Sequence, residues 1–507
     1  MKKYASPPAF WLRGQARLSQ LVRRVNLRPF FRAEKALLFK DMNLFARAFS
    51  IDYRSLRFCR VALGVLTTIH ALQLSYNFEA LFTDRGLIPY DLITGGGAVA
   101  YVFSFFHFSQ AGWMAWAHFF GLSVCGLGLI YNRYPRLSSI IAYALVISIN
   151  NRIAFAHYSA DILLATMFLW MSFLPPGKPK DSKSNSFSSL ASIAALLQIA
   201  YLYVFAGFLK SWDFWFVEGK AAYFALQADL YARPLGSWMA DHVPYPILQW
   251  ASRLVLIWER FGPILIFSPW GFVWCRIAVF AGFALMHLKF AATMAIGIFP
   301  GVDLVFLILL IPGEVWDYIA HLKPFQHLPD LETFALKESP VDFFAPAILA
   351  FLFCATVWNL KRLEFKIWVP KTVKWAAQHL SLQQNWGMYA PTPFASDGWF
   401  VIQGTTLSGR AADVLHWKYG WADFRRPKVI SATFPSERWV AASAVLRLRQ
   451  GEPNRIAFAD LFCRQWREKG NEPLRDLKVW FVEETTVDKY QYQPVNGRLL
   501  IAKKCSE

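Results

Sequence analysis

The chain is poor in acidic residues, with 34 Asp and Glu against 53 Lys and Arg. It also lacks the usual catalytic signatures: there is no phosphate loop, no GxGxxG turn, no HExxH and no serine nucleophile elbow. Nucleotide-driven, dinucleotide, zinc-peptidase and esterase-type chemistry are therefore not expected, which leaves proton chemistry. The six cysteines contain no CxxC pair and no metal-ligand spacing. Cys59, Cys125, Cys275 and Cys354 sit in or beside apolar runs and read as packing residues. Cys463 and Cys505 lie in a polar tail, where pairing depends on an oxidising compartment. No early apolar core with a small-residue cleavage site occurs, so the first spanning helix is expected to act as the insertion signal. The lack of an inverted repeat and the scarcity of intramembrane charges argue against a transporter.

What the chain has in quantity is apolar surface. At 55% hydrophobic and 17% aromatic residues, it is too apolar for an ordinary soluble protein and reads as an integral membrane protein. A net charge of +19 in a soluble domain would suggest nucleic acid. Here the basic excess lies largely outside the apolar runs, where it orients the chain in a bilayer, and no nucleic-acid partner is expected. Residues 1–50 carry eleven Lys and Arg against two Asp and Glu, which suits a basic amphipathic segment on the cytoplasmic leaflet.

Apolar runs recur near 57–75, 108–131, 134–150, 157–174, 190–210, 245–268, 273–290, 295–312 and 342–359, predicting about nine transmembrane helices. Beyond residue 365 come short alternating segments: WFVIQGTTLSG, VISATF, SAVLRL, LKVWFVEE and GRLLIA. They predict a mainly β extramembrane domain with some helix, such as DLFCRQWREKG. The expected organisation is a cytoplasmic segment over 1–54, an α-helical polytopic membrane domain over 55–360 and an extracytoplasmic mainly β domain over 361–507. Basic PGKPKDSKS, residues 176–184, should share the cytoplasmic side with the N-terminus, in a cell inner membrane. Basic KRLEFK at 361–366 conflicts with that threading.

Leu190–Leu209 is twenty residues without a charge, enough to cross a hydrocarbon core of about 30 Å, so Lys210 arrives at the outer boundary. One reading is a lysine that snorkels to the headgroups. The other follows from SWDFWFVEG, where Trp212, Phe214, Trp215 and Phe216 cover the site. An ammonium deprived of water there is pushed toward the neutral amine, which is a base. FAHYSADILL places His157 and Asp161 four apart at the outer end of the fourth helix, and FALMHLKF places His287 near the same level. Structural hydrogen bonding is the alternative for each histidine, and His157 with Asp161 does not make a metal set. Glu218 serves either as counter-ion to Lys210 or as a backbone partner at the bend before Gly219.

The stretches RFCRVALGVLTTIHALQL, FTDRGLIPY, AHYSADILLATMFLWMSFLPPG, YVFAGFLKSWDFWFVEG and MHLKFAATMAIGIFP resemble the HTTM superfamily, best known through the vitamin K-dependent gamma-carboxylases. The resemblance spans about residues 55–315. It implies that Lys210 is the base that deprotonates vitamin K hydroquinone or a related quinol, with His157 and His287 shaping the site. It further implies oxygen and carbon dioxide as co-substrates, a carbanion formed on a glutamyl residue, and Trp212, Trp215, Glu218 and Asp161 near the cofactor. QNWGMYAPTPF, residues 384–394, resembles a tryptophan/methionine segment after the family's membrane domain. The tail is shorter than in animal carboxylases and has Pro and Ser where they carry basic residues. The expected function is thus a carboxylase-like membrane enzyme acting on a protein or peptide at the outer face. The alternative is a non-catalytic HTTM scaffold, immunity or maturation factor, since a fold does not carry an activity with it.

Overall fold

A computed structural model describes residues 44–94, 102–321, 333–334, 370–380, 382, 384, 386–448, 451–487 and 496–505. The N-terminal two-thirds is a helical bundle: α1 (Tyr53–Tyr76), α2 (Gly112–Ile130), α3 (Pro135–Arg152), α4 (Ser159–Phe173), α5 (Leu190–Phe208), α6 (Pro234–His242), α7 (Tyr245–Phe261), α8 (Phe272–Thr293), α9 (Phe299–Leu307) and α10 (Gly313–Ala320).

Four of these, α1, α2, α5 and α8, are long and apolar enough to cross a membrane. A fifth crossing is available only if Phe299–Leu310 and Gly313–Ala320, bent by 90° at their junction, count as one span. Nine crossings are therefore not supported among the described residues. Helix α4 is only fifteen residues long, and α3 ends on Asn150, Asn151 and Arg152. Helix α7 carries Arg253, Glu259 and Arg260 within an amphipathic pattern. Apolar runs are produced by a buried helix as readily as by a lipid-facing one, so run length overcounts crossings in a packed bundle. The run expected at 342–359, KRLEFK, the basic segment before residue 44 and Cys354 lie outside the described residues.

One end of the bundle gathers the start of α1 and the 176–187 loop, where Ile51–Asp52 pairs antiparallel with Ser186–Phe187. The other end is covered by the C-terminal domain, a five-stranded antiparallel sheet in the order β3-β2-β1-β4-β5. Its strands are β1 (Ser396–Thr406), β2 (Ala411–Asp413), β3 (Lys418–Tyr419), β4 (Leu474–Thr485) and β5 (Asn496–Lys504). Helices α11 (Glu437–Leu446) and α12 (Glu452–Glu468) accompany the sheet. Three of the expected strand segments hold. VISATF instead contains a 3-10 turn, and SAVLRL lies largely in α11. There the buried positions Trp439, Val440, Ser443 and Leu446 recur every three to four residues, a helical period that a short alternating stretch also satisfies.

Cys463 and Cys505 form a disulfide that ties the end of β5 to α12. Cys59 and Cys125 are buried in the bundle as packing residues, whereas Cys275 is only half-buried. The segment before the sheet does not stand apart from the helices. Gln384 exchanges side-chain hydrogen bonds of 2.7 and 2.8 Å with Gln198 of α5, Trp386 donates to Gln384, and Ser211 N–H donates to the Pro391 carbonyl. This irregular backbone thus runs along α5, buried in protein, as non-helical chain beside a bundle must be.

At the junction between bundle and sheet, Arg426 lies 2.6 Å from Asp229 and 3.3 Å from Glu484, and Asp397 accepts the Asp229 backbone N–H. Burial, reinforced by the Asp229 and Glu484 carboxylates, pushes the Asp397 acid up to about 7, and burial raises Asp229 as well. Both folded-state values lie above the unfolded carboxylate value, so the folded protein holds protons that the unfolded chain releases. The resulting stabilisation is full below about pH 4 and is lost as pH rises toward about 7. The domain junction is expected to be more stable at pH 5 than at pH 8, by about 2 kcal/mol, and Asp397→Asn should flatten that dependence. Thermal unfolding of both proteins across this range is the measurement; parallel profiles would refute it.

Candidate functional site

Lys210 follows the last turn of α5 and is only 4% exposed. It does not snorkel. Its Nζ donates to Glu259 Oε2 at 2.6 Å and to the Ala206 carbonyl at 3.2 Å, and it lies 4.9 Å from the centroid of the Trp215 ring. Glu259 belongs to α7, which reaches α5 because position 207 is glycine. A Cβ there would sit 2.9 Å from the Arg260 backbone nitrogen, so any other residue would force the helices apart. Arg260 completes the clasp, donating to the Gly207 and Lys210 carbonyls at 2.9 Å each. A charge this deep in an apolar bundle is costly, and the pair offsets that cost.

The aromatic return after Lys210 is a π-helical turn, Asp213–Val217. It ends at Gly219, whose φ of +69° is left-handed and whose absent Cβ leaves room for Gln249. Trp215 is buried, and its Nε1 has no hydrogen-bond partner. Trp212 is partly exposed and stacks on Phe216 with centroids 4.2 Å apart. Glu218 is not the counter-ion of Lys210. Its carboxylate lies 2.5 Å from Lys220 near the surface, and its carbonyl accepts from Gln249.

His287 is buried in α8 with Nε2 2.8 Å from Asp303 Oδ2, and Tyr203 of α5 donates its hydroxyl hydrogen to the same carboxylate. The Tyr203 hydroxyl is 3.3 Å from His287 Nε2, while His287 Nδ1 has no hydrogen-bond partner. Tyr203 and Lys210 are seven residues apart, two helical turns and about 10 Å along the axis, on one face of α5. One face of α5 thus bears two buried polar groups: Lys210 with Glu259, and Tyr203 with His287 and Asp303.

His157 does not join them. It precedes α4, is exposed, and its Nδ1 lies 2.7 Å from the Ala154 carbonyl. The expected four-residue pairing with Asp161 fails because Tyr158 is extended and the helix begins at Ser159. Asp161 instead accepts the Tyr158 backbone N–H at 3.0 Å and is fully buried against Arg438 of α11, at 2.7 and 3.1 Å. His70 Nε2 lies 3.8 Å from the same carboxylate. The expected level of Lys210, His157 and His287 therefore resolves into a lysine–glutamate pair, a Tyr–His–Asp group and an exposed histidine. Among the described residues no His, Cys, Asp or Glu cluster has the arrangement to hold a metal ion.

Glu259, Tyr203, Asp303 and Arg438 were missed by sequence reasoning. A signal for Glu259 was present in WERFG, a charged triplet within an otherwise apolar stretch. Asp303 offered another, as a lone acid in GIFPGVDLVFLILL. No protein-family model, curated protein or solved structure matches this chain.

Proposed function

We propose that the chain is a membrane-embedded, carboxylase-like enzyme of the HTTM type, resembling the vitamin K-dependent gamma-carboxylases, in which Lys210 with Glu259 takes the hydroxyl proton of a quinol-type cofactor. The observation that carries this reading is the buried Lys210–Glu259 contact of 2.6 Å at the end of an uncharged helix, since a paired amine and carboxylate held from water can exchange a proton with a third group. The residues present suit a flat, oxygen-bearing ring. Lys210 Nζ has two named acceptors for three hydrogens, Trp215 Nε1 is an unused donor beside it, and the Trp212–Phe216 stack offers a planar apolar face. When bound, reduced vitamin K with oxygen supplies a base strong enough to remove a γ-proton from a glutamyl side chain, to which carbon dioxide then adds. Glu259 orients the amine, Trp215 shields it from water, and the Tyr203–His287–Asp303 group braces α5 two turns away.

The second substrate, a protein or peptide, is placed at the end covered by the C-terminal domain. That end is read as extracytoplasmic: the disulfide suits an oxidising compartment, and the basic 176–184 loop lies with the start of α1 at the opposite end. A multi-pass protein of the cell inner membrane with a cytoplasmic N-terminus follows from this threading.

Membranes containing the wild-type protein, supplied with reduced vitamin K and labelled carbon dioxide, are expected to form epoxide and fixed carbon, and Lys210→Ala to lose at least about a hundredfold of both. No product from wild-type protein would sink the enzyme reading. The rival, a non-catalytic HTTM scaffold or maturation factor, draws support from the buried Arg438–Asp161 pair, which fastens the C-terminal domain to the bundle without serving Lys210. It predicts that Lys210→Ala leaves the chain's biological role intact.

A further inference from the structure

At the end of the bundle opposite Lys210, a cavity of about 250 Å³ opens where three helices begin. Helices α1, α8 and α10 start at Tyr53, Phe272 and Gly313, so the positive ends of their dipoles meet there. Asp52 caps α1, whereas the residues preceding α8 and α10, Gly271 and Pro312, make no side-chain cap. Two arginines share the Phe272 ring, with the Arg47 and Arg276 guanidinium carbons each 5.0 Å from its centroid.

Their charges are differently placed from that of Arg54. Arg54 is matched by Asp52 and Asp317 at 3.0 and 2.5 Å. Arg276 is 1% exposed and donates to the Ile266, Ala48 and Ser50 carbonyls, with no carboxylate partner among the described residues. The Arg47 side chain is 9% exposed, and its Nη2 has no hydrogen-bond partner; the Glu314 carboxylate approaches it only to 3.8 Å. A guanidinium donor left unsatisfied in a buried wall is a group built to meet an acceptor.

We propose that this cavity binds the phosphate of an anionic phospholipid headgroup. Arg47 Nη2 donates to a phosphate oxygen, Arg276 and the start of α8 supply the positive field, and Phe272 and Ile311 provide apolar walls for the glycerol. A lipid source fits the position, at the end of apolar helices α1 and α8.

The test uses full-length protein in detergent, stripped of lipid and titrated by native mass spectrometry with phosphatidylglycerol and, separately, with inorganic phosphate. Wild-type protein is expected to bind phosphatidylglycerol about tenfold more tightly than Arg47→Ala, with Arg276→Gln weakened similarly. Arg133→Ala, an exposed residue at the same end, should bind like wild type. Competition by inorganic phosphate that Arg47→Ala abolishes supports the same donors and identifies a free anion as a source. Arg47 donates no hydrogen bond from Nη2 to the fold, so this variant is expected to keep its unfolding temperature. Equal phosphatidylglycerol affinity in wild type and Arg47→Ala, or no binding to either, overturns the proposal.

Discussion

Arg438→Ala is expected to cost about 3–5 kcal/mol and to loosen the C-terminal domain from the helical bundle. Arg438 is 2% exposed and gives both terminal nitrogens to Asp161, which is fully buried in α4. Truncation leaves that carboxylate with the Tyr158 backbone N–H and with His70, whose ring nitrogens make no hydrogen bond. The penalty is chiefly that of an uncompensated buried charge, so Arg438→Met combined with Asp161→Asn should recover most of the loss. Thermal unfolding and limited proteolysis ahead of β1 would report it. A single variant as stable as wild type, or a double variant no better than the single, would contradict the assignment of this pair as the fastening of the domain.

The second large effect is expected at Lys210 and Glu259. Glu259→Gln should destabilise the protein by about 3–5 kcal/mol, because it strands an ammonium 4% exposed with only the Ala206 carbonyl and the Trp215 face as partners. Lys210→Met should cost a similar amount by stranding the carboxylate. Together, Lys210→Met and Glu259→Gln should return to within about 1 kcal/mol of wild type, since an apolar chain and a neutral amide require no ion partner. That double variant separates stability from chemistry: it should fold yet form neither epoxide nor fixed carbon. A folded, fully active double variant would exclude Lys210 as the base.

Much of the architecture was legible from local pattern. Twenty uncharged residues before Lys210, the glycine at 219 and the alternation in WFVIQGTTLSG, LKVWFVEE and GRLLIA specify a helix end, a left-handed bend and three strands. The crossing count was not legible, because α4 and α7 are apolar through burial against other helices. Nor was the position of His157. A helix was read through FAHYSADILL, but Asp161 caps the helix from within its first turn and leaves His157 outside.

The sequence by itself determined that the chain is a membrane-type helical bundle with a β-rich tail, and that Lys210 stands at the end of a spanning helix under an aromatic cover. Those properties depend on composition, run length and periodicity, which act over a few turns of chain. Only the tertiary structure decided that Lys210 faces Glu259, that His287 belongs to Tyr203 and Asp303, and that Asp161 holds the C-terminal domain through Arg438. These partners lie between 16 and 277 residues apart in sequence, and their meeting depends on how closely helices approach, as at Gly207, a distance that no local pattern encodes.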